Sequence, residues 1–147
     1  MLQLKKSTDR TDLLDGIRYG YGGMDKKILV VEDDPEMIEL SELFLHKAGY
    51  QVLAARDGRT GLKMLGRESV DLVLLDIMMC GLDGWGVLKA MRANEQWQDI
   101  PVIVLSARHH LAGGKERAAQ AEMFTDYVVK PFIVQDLLKR IEAALVV

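Results

Sequence analysis

The feature that most constrains the fold is a set of short apolar runs that do not alternate: Ile28-Leu29-Val30-Val31, Leu72-Val73-Leu74-Leu75, Val102-Ile103-Val104-Leu105 and Tyr127-Val128-Val129. A strand with one wet face alternates apolar and polar residues, whereas a continuous β-branched or leucine-rich run reads as a strand covered on both faces. Longer stretches with helical spacing lie between the runs. This alternation predicts an α/β domain, a doubly wound, five-stranded parallel sheet with strands near 27–31, 51–55, 71–75, 101–105 and 127–129 and five helices. In such sheets ligands bind at the carboxyl ends of the strands, so the residues that follow each run converge on one edge.

Helix boundaries follow from local chemistry. Asp34-Pro35 pairs a capping side chain with proline at the first helical position, and Gly49 closes that helix. Its apolar residues Met37, Ile38, Leu40, Leu43, Phe44 and Leu45 form a broad core-facing stripe. Asp57-Gly58 and Asp83-Gly84 open the second and third helices, Gly113-Gly114 precedes the fourth, and Leu137, Leu138, Ile141 and Leu145 carry the fifth.

With 147 residues, 49% of them apolar and 28% charged, the chain is long enough for one domain with a real core, and a net charge of −3 gives no global attraction to nucleic acid or anionic membrane. One cysteine, Cys80, rules out an internal disulfide framework and fits a reducing cytosol. No apolar stretch approaches the roughly 18 residues needed to span a bilayer, and no apolar core follows Lys5 and Lys6 as in a signal peptide. A cytoplasmic location is expected. Residues 1–24 read as a flexible extension, with Met24 as a second start, and residues 25–147 as the domain.

The strand ends carry the chemistry: Glu32 and Asp33 after the first run, Asp76 after the second, Ser106 after the third and Lys130 after the last. Acids gathered at one edge repel one another unless a cation sits among them or a proton is taken up. Mg2+ suits them, because it takes hard oxygen ligands and is commonly held by one or two carboxylates plus a phosphate. Asp76 leaves a central strand directly, and a carboxylate so placed can attack phosphorus to form an acyl phosphate. Lys130 then offers a positive charge to phosphoryl oxygens, and Ser106 a hydroxyl donor.

Taken jointly, Ile28-Leu29-Val30-Val31-Glu32-Asp33-Asp34, Asp71 to Met79, Gly81-Leu82-Asp83-Gly84, Pro101 to Ala107 and Asp126-Tyr127-Val128-Val129-Lys130-Pro131-Phe132 are highly specific. From about Lys26 to Leu145 the chain resembles the receiver domain of two-component response regulators. The resemblance implies the flavodoxin-like strand order 2-1-3-4-5, and phosphoryl transfer to Asp76 from a sensor histidine kinase or phosphotransfer protein. It also implies Mg2+ bound by Asp33, Asp76 and the Met78 backbone carbonyl, with Glu32 acting through water, and a cis Lys130-Pro131 peptide. Ser106 and Tyr127 match the switch pair, Met78 and Arg108 the positions that set the lifetime of the phosphoryl group. A downstream protein would bind through the last helices and strand, with dimerisation on phosphorylation as a further expectation and neither nucleic acid nor membrane as a direct partner.

Several residues depart from the family pattern. Cys80 replaces a usual proline, Met123-Phe124-Thr125 replaces a run of small residues, and Ile133 occupies the polar cap position of the last helix. Phe124 and Ile133 are expected either to share an apolar patch or to pack inward. Trp85 and Trp97 read as packing residues, and the adjacent His109-His110 as loop rather than metal ligands. An aspartyl-phosphate phosphatase would carry a second acid two residues after the nucleophile, where Met78 stands. A flavin or dinucleotide carrier would need a glycine-rich turn where Glu32-Asp33-Asp34-Pro35 lies. With no output segment after the last helix, the chain reads as a single-domain regulator or as a fragment of a longer regulator or hybrid kinase.

Overall fold

The computed structural model describes residues 25–79, 81, 83–107 and 123–146. In chain order these form β1 (Lys27–Val31), α1 (Pro35–Lys47), β2 (Gln51–Ala55), α2 (Gly58–Arg67), β3 (Leu72–Asp76), α3 (Gly84–Arg92), β4 (Val102–Ser106), β5 (Asp126–Val129) and α4 (Val134–Leu145). All strand pairs are parallel and the order is β2-β1-β3-β4-β5. That is the expected flavodoxin-like order. The helix expected after Gly113-Gly114 lies outside the described residues, as do residues 1–24, Cys80, Arg108 and His109-His110.

The unbroken apolar runs are explained by cover on both sides. Ile28, Val30, Leu72, Leu74, Ile103, Leu105 and Val128 face Phe44 and Leu45 of α1 and Leu137 and Ile141 of α4. Their neighbours Leu29, Val31, Val73, Leu75, Val102 and Val104 face Leu65 of α2 and Val87, Leu88 and Met91 of α3. Every residue of β3 and β4 is buried. Side chains alternate between faces along a strand, so each strand feeds both cores, which a one-sided amphipathic pattern could not do.

The helices begin where their caps are encoded. Asp34 accepts from the Glu36 amide at 3.0 Å, Asp57 from Thr60 at 2.8 Å and Asp83 from Gly86 at 2.9 Å. Each satisfies a backbone donor that the first helical turn leaves without an internal partner. At the end of α1, Gly49 has a φ of 97°, and the pair Tyr50 N–H to Leu45 carbonyl and Gly49 N–H to His46 carbonyl closes the helix. The left-handed φ makes glycine the natural residue there. Ile133 opens α4 with no side-chain cap bond and is 73% exposed. Phe124 instead packs into the core on the α2 and α3 side. The two residues therefore do not form a common patch.

Two strands end one residue later than the apolar runs suggest. Asp76 and Ser106 are the last residues of β3 and β4 rather than the first residues after them, because Asp76 registers with Leu105 and the Ile77 amide still donates to the Leu105 carbonyl at 3.1 Å. This holds both side chains on ladder backbone.

Candidate functional site

Strand β1 is paired with β2 on one side and β3 on the other, so the chain reverses its direction of winding between β1 and β3. Their carboxyl ends lie side by side at that reversal, where sheets of this kind bind ligands. Glu32, Asp76 and Lys130 each come two residues after a side chain of the α1 and α4 core, namely Val30, Leu74 and Val128. Strand alternation thus directs all three to one side of the edge. The result is a compact charge cluster: Lys130 Nζ lies 2.8 Å from Glu32 Oε1 and 3.7 Å from Asp76 Oδ2. Asp33 completes it, with one carboxylate oxygen from each of Glu32, Asp33 and Asp76 within 4.8 Å of the others.

Backbone amides hold the acids in place. The Met78 N–H donates to Asp76 Oδ1 at 3.0 Å and the Asp34 N–H to Glu32 Oε2 at 3.2 Å. Glu32 and Asp76 are nonetheless 2% and 5% exposed, which strips most of the water that would stabilise their charges. Burial, and after it the negative charge of Glu32, push the Asp76 carboxyl up to about 6, against the opposing pull of Lys130 and the Met78 amide. One lysine does not neutralise three acids. The all-oxygen donor set and the surplus negative charge fit a hard divalent cation of the magnesium type.

Ser106 and Tyr127 stand on the other side of the edge. Ser106 follows Val104 by two residues, and the register pairs Val104 with Tyr127 and Ser106 with Val129. Ser106 is fully buried, and its carbonyl accepts from the Lys130 amide at 2.7 Å. This backbone bond links the strand end carrying the hydroxyl to the one carrying the lysine. The Lys130-Pro131 peptide is cis.

The profile of the response regulator receiver domain matches residues 28–142. This chain belongs to the response regulator receiver family. Among curated proteins, the receiver is 39% identical over 121 residues to a probable transcriptional regulator ycf27 of Guillardia theta, covering 82% of this chain and 45% of that protein. It is 35% identical to the DNA-binding dual master transcriptional regulator RpaA of a Synechocystis strain, covering 81% of this chain and 48% of that one. The chain thus spans about half the length of the curated relatives it matches. Among solved structures, it superposes on the response regulator TrrA of Thermotoga maritima in complex with Mg(2+)-BeF with a TM-score of 0.73 and 32% identity, covering 82% of this chain and 99% of that one. The Vibrio cholerae chemotaxis protein CheY4 gives 0.74 at 27% identity, with coverage of 82% and 99%.

These findings make the receiver a signalling domain; its described residues gather the acidic cluster of Glu32, Asp33 and Asp76, and the similar TrrA is solved in complex with Mg(2+)-BeF. The expectation that nucleic acid is not a direct partner draws no support from them, since RpaA is a DNA-binding regulator. No helix among the described residues is long and apolar enough to cross a membrane.

Two features of the site were not legible in the sequence. Gly84 reads only as a helix-opening residue after Asp83, yet a Cβ there would lie 2.5 Å from the Asp76 carbonyl oxygen and 2.6 Å from Ile77 Cα. Arg92 stands in the last turn of α3, and no motif in the sequence singles it out. It is partly buried, and its guanidinium donates to the carbonyls of Met123, Gln98 and Ile100 at 2.6, 2.9 and 2.9 Å. Both roles depend on backbone brought in from elsewhere in the chain.

Proposed function

We propose that Asp76 accepts a phosphoryl group from a histidine kinase or phosphotransfer protein, and that this event resets a protein-binding face of the receiver. The observation that carries the reading is the Glu32–Lys130–Asp76 cluster at the β1/β3 reversal, in which one carboxylate at a strand end lies beside a lysine. An Asp76 carboxylate oxygen attacks phosphorus, the bond from phosphorus to the donor nitrogen or oxygen breaks, and the leaving group departs with that electron pair. Mg2+, held by Asp33, Asp76 and the Met78 carbonyl with Glu32 acting through water, would supply positive charge to the transferring phosphoryl oxygens. Lys130 adds a further positive charge to those oxygens, and Ser106 donates its hydroxyl to one of them. Asp76 reacts as a carboxylate, so neutralisation of its surroundings also readies it for attack.

The same reading makes Ser106 and Tyr127 the switch pair, since they share one face of adjacent strands. A phosphoryl group that draws the Ser106 hydroxyl towards it alters the space beside Tyr127, and two arrangements of a packed edge become two populations. The face that responds comprises β5 and α4, where Arg140 bridges Asp126 at 2.8 Å and Asp136 at 3.0 Å. We assign to it a downstream protein partner, or a second copy of the receiver once phosphorylated, in the cytoplasm. Residues 25–147 act as this domain, with residues 1–24 as an extension.

Met78 is 48% exposed beside the acceptor and contributes a thioether that neither orients nor activates water. Slow loss of the phosphoryl group is the expected consequence; Arg108, the other position expected to set the lifetime, lies outside the described residues. Met78→Asn should release phosphate faster than wild type, about ten-fold, the rate change that one hydrogen bond of about 1.4 kcal/mol to the attacking water brings. Phosphate release from the purified phosphoprotein measures this, and an unchanged rate would remove Met78 from the account.

The proposed function itself is tested by the intact mass of the protein after incubation with acetyl phosphate. One added phosphoryl group in the presence of Mg2+, and none when the metal is chelated, is expected. Uptake that ignores Mg2+ would contradict the reading of the acidic cluster.

A further inference from the structure

The segment that leads into β5 is fastened to α3 by two kinds of contact. Arg92, in the last turn of α3, holds the Met123 carbonyl through Nε at 2.6 Å while its other bonds reach the carbonyls of Gln98 and Ile100. The next residue, Phe124, places its ring 6.4 Å from that of Trp85 in the first turn of α3, and 5.9 Å from that of Tyr127, with interplanar angles of 45° and 49°. These separations are those of rings in attractive contact. Trp85, Phe124 and Tyr127 therefore form a continuous aromatic row from α3 to β5, all packed against the core between the sheet and α2 and α3.

We propose that Phe124 is a positioning residue that couples the ring of Tyr127 to α3, so that phosphorylation is felt at the first turn of α3 as well as on the β5 and α4 face. The proposal rests on the reading of Tyr127 as a switch residue. Interiors are close-packed, so a ring that moves obliges its neighbours to repack. The Arg92 bond fixes the backbone at Met123 and keeps the displacement from dissipating as drift of the segment. It passes instead into the Phe124 side chain, and from there to Trp85. A small residue at position 124 would leave Trp85 and Tyr127 without the ring that joins them. The large side chain thus adds an output that a small one would not provide.

The chain has two tryptophans, Trp85 and Trp97, so a Trp97→Phe background leaves Trp85 as the sole indole reporter. Emission from that protein is recorded with Mg2+ alone and then with Mg2+ and acetyl phosphate, while intact mass follows phosphoryl uptake in the same samples. The expected result is a phosphorylation-dependent change in Trp85 emission beyond that caused by Mg2+. The change is lost on Phe124→Ala and kept on Phe124→Tyr, which retains the ring, at equal phosphoryl uptake in all three proteins. A full response in the Phe124→Ala protein, or none in the Trp97→Phe background despite uptake, overturns the coupling. If mass shows no uptake in any of them, the reading of Asp76 fails and the coupling falls with it. Loss of the response in Phe124→Tyr at full uptake would also overturn it, because the ring alone would then not be the connection.

Discussion

Alanine at position 84 is expected to lower the stability of the metal-free protein by about 3 kcal/mol, at the upper end of the usual overpacking range. The added Cβ would lie 2.5 Å from the Asp76 carbonyl oxygen, 2.6 Å from Ile77 Cα and 2.8 Å from Ile77 Cδ1. Two of these three atoms are backbone, which cannot rotate away. The clash would separate α3 from the end of β3 and loosen the Gly84 N–H bond to the Ile77 carbonyl, 3.2 Å in the native arrangement. Because the atom struck belongs to Asp76 itself, phosphoryl uptake should fall together with stability. Gly61 supplies the contrast: its added Cβ would meet Val31 Cγ2 at 3.0 Å, a side-chain atom with some freedom to give, and the intrinsic helix preference for alanine of about 1 kcal/mol works in the opposite direction. Gly61→Ala should therefore cost far less than Gly84→Ala. Urea midpoints of the three proteins measure the difference, and equal midpoints for the two variants would refute the distinction between backbone and side-chain obstruction.

The second large effect concerns Asp76 and pH. Its carboxyl is raised from the usual 3.8 to about 6 in the fold, first by burial and then by Glu32. A group whose folded value is raised contributes stability that is fully present below its unfolded value and is lost as pH rises through the folded value. The metal-free protein should accordingly lose stability between about pH 4 and pH 6 and level off above, by roughly 2–3 kcal/mol for a shift of this size. Asp76→Asn removes the charge and can keep the Met78 amide bond through its side-chain oxygen. That variant should show a flatter profile and exceed wild type at neutral pH by a similar amount. Asp57 does not confound the window, because its carboxyl is lowered, mainly by the Thr60 amide, and its contribution is lost only as pH falls below its ordinary range. Mg2+ should stabilise wild type more than Asp76→Asn and so narrow the gap. Melting temperatures across pH, with and without Mg2+, check all of this; a wild-type profile parallel to that of Asp76→Asn would show that the Asp76 carboxylate carries no strain.

What the sequence disclosed and what it withheld divide along a physical line. Continuous apolar runs announced the buried strands because nothing but two-sided cover explains such runs at Leu72 to Leu75 and Val102 to Leu105. Helix starts were legible at Asp34, Asp57 and Asp83, where a local side chain satisfies a local amide. The broad stripe of α1 was less informative. Ile38, Phe44 and Leu45 are buried with Ser41 between them, while Leu40 and Leu43 are 43% and 60% exposed. Residues three and four apart share a helix face, so geometry rather than hydrophobicity chose Ser41 for the interior, where its hydroxyl finds no hydrogen-bond partner among the described residues.

Convergence of Glu32, Asp33, Asp76 and Lys130 could be anticipated from their places after successive runs, but the preference of Lys130 for Glu32 over Asp76 could not. That choice depends on fractions of an ångström between three acids. The roles of Arg92, Phe124 and Gly84 escaped for a related reason, since each is defined by atoms contributed from distant segments. Arg92 holds Met123 across 31 positions. Residue type hinted only at Phe124, as a bulky departure from the family's small residues, and left open whether it would pack inward or join Ile133 at the surface.

The central claim is that the carboxylate at the end of β3, among the acids and lysine of the β1/β3 reversal, is the group that carries phosphate. The most direct measurement is to load the protein with acetyl phosphate and Mg2+, reduce the acyl phosphate with borohydride so that the modified aspartate becomes homoserine, and sequence the peptides by mass spectrometry. The account predicts homoserine at position 76 and at no other aspartate. Homoserine at Asp33, or reduction products spread over several acids, would contradict it.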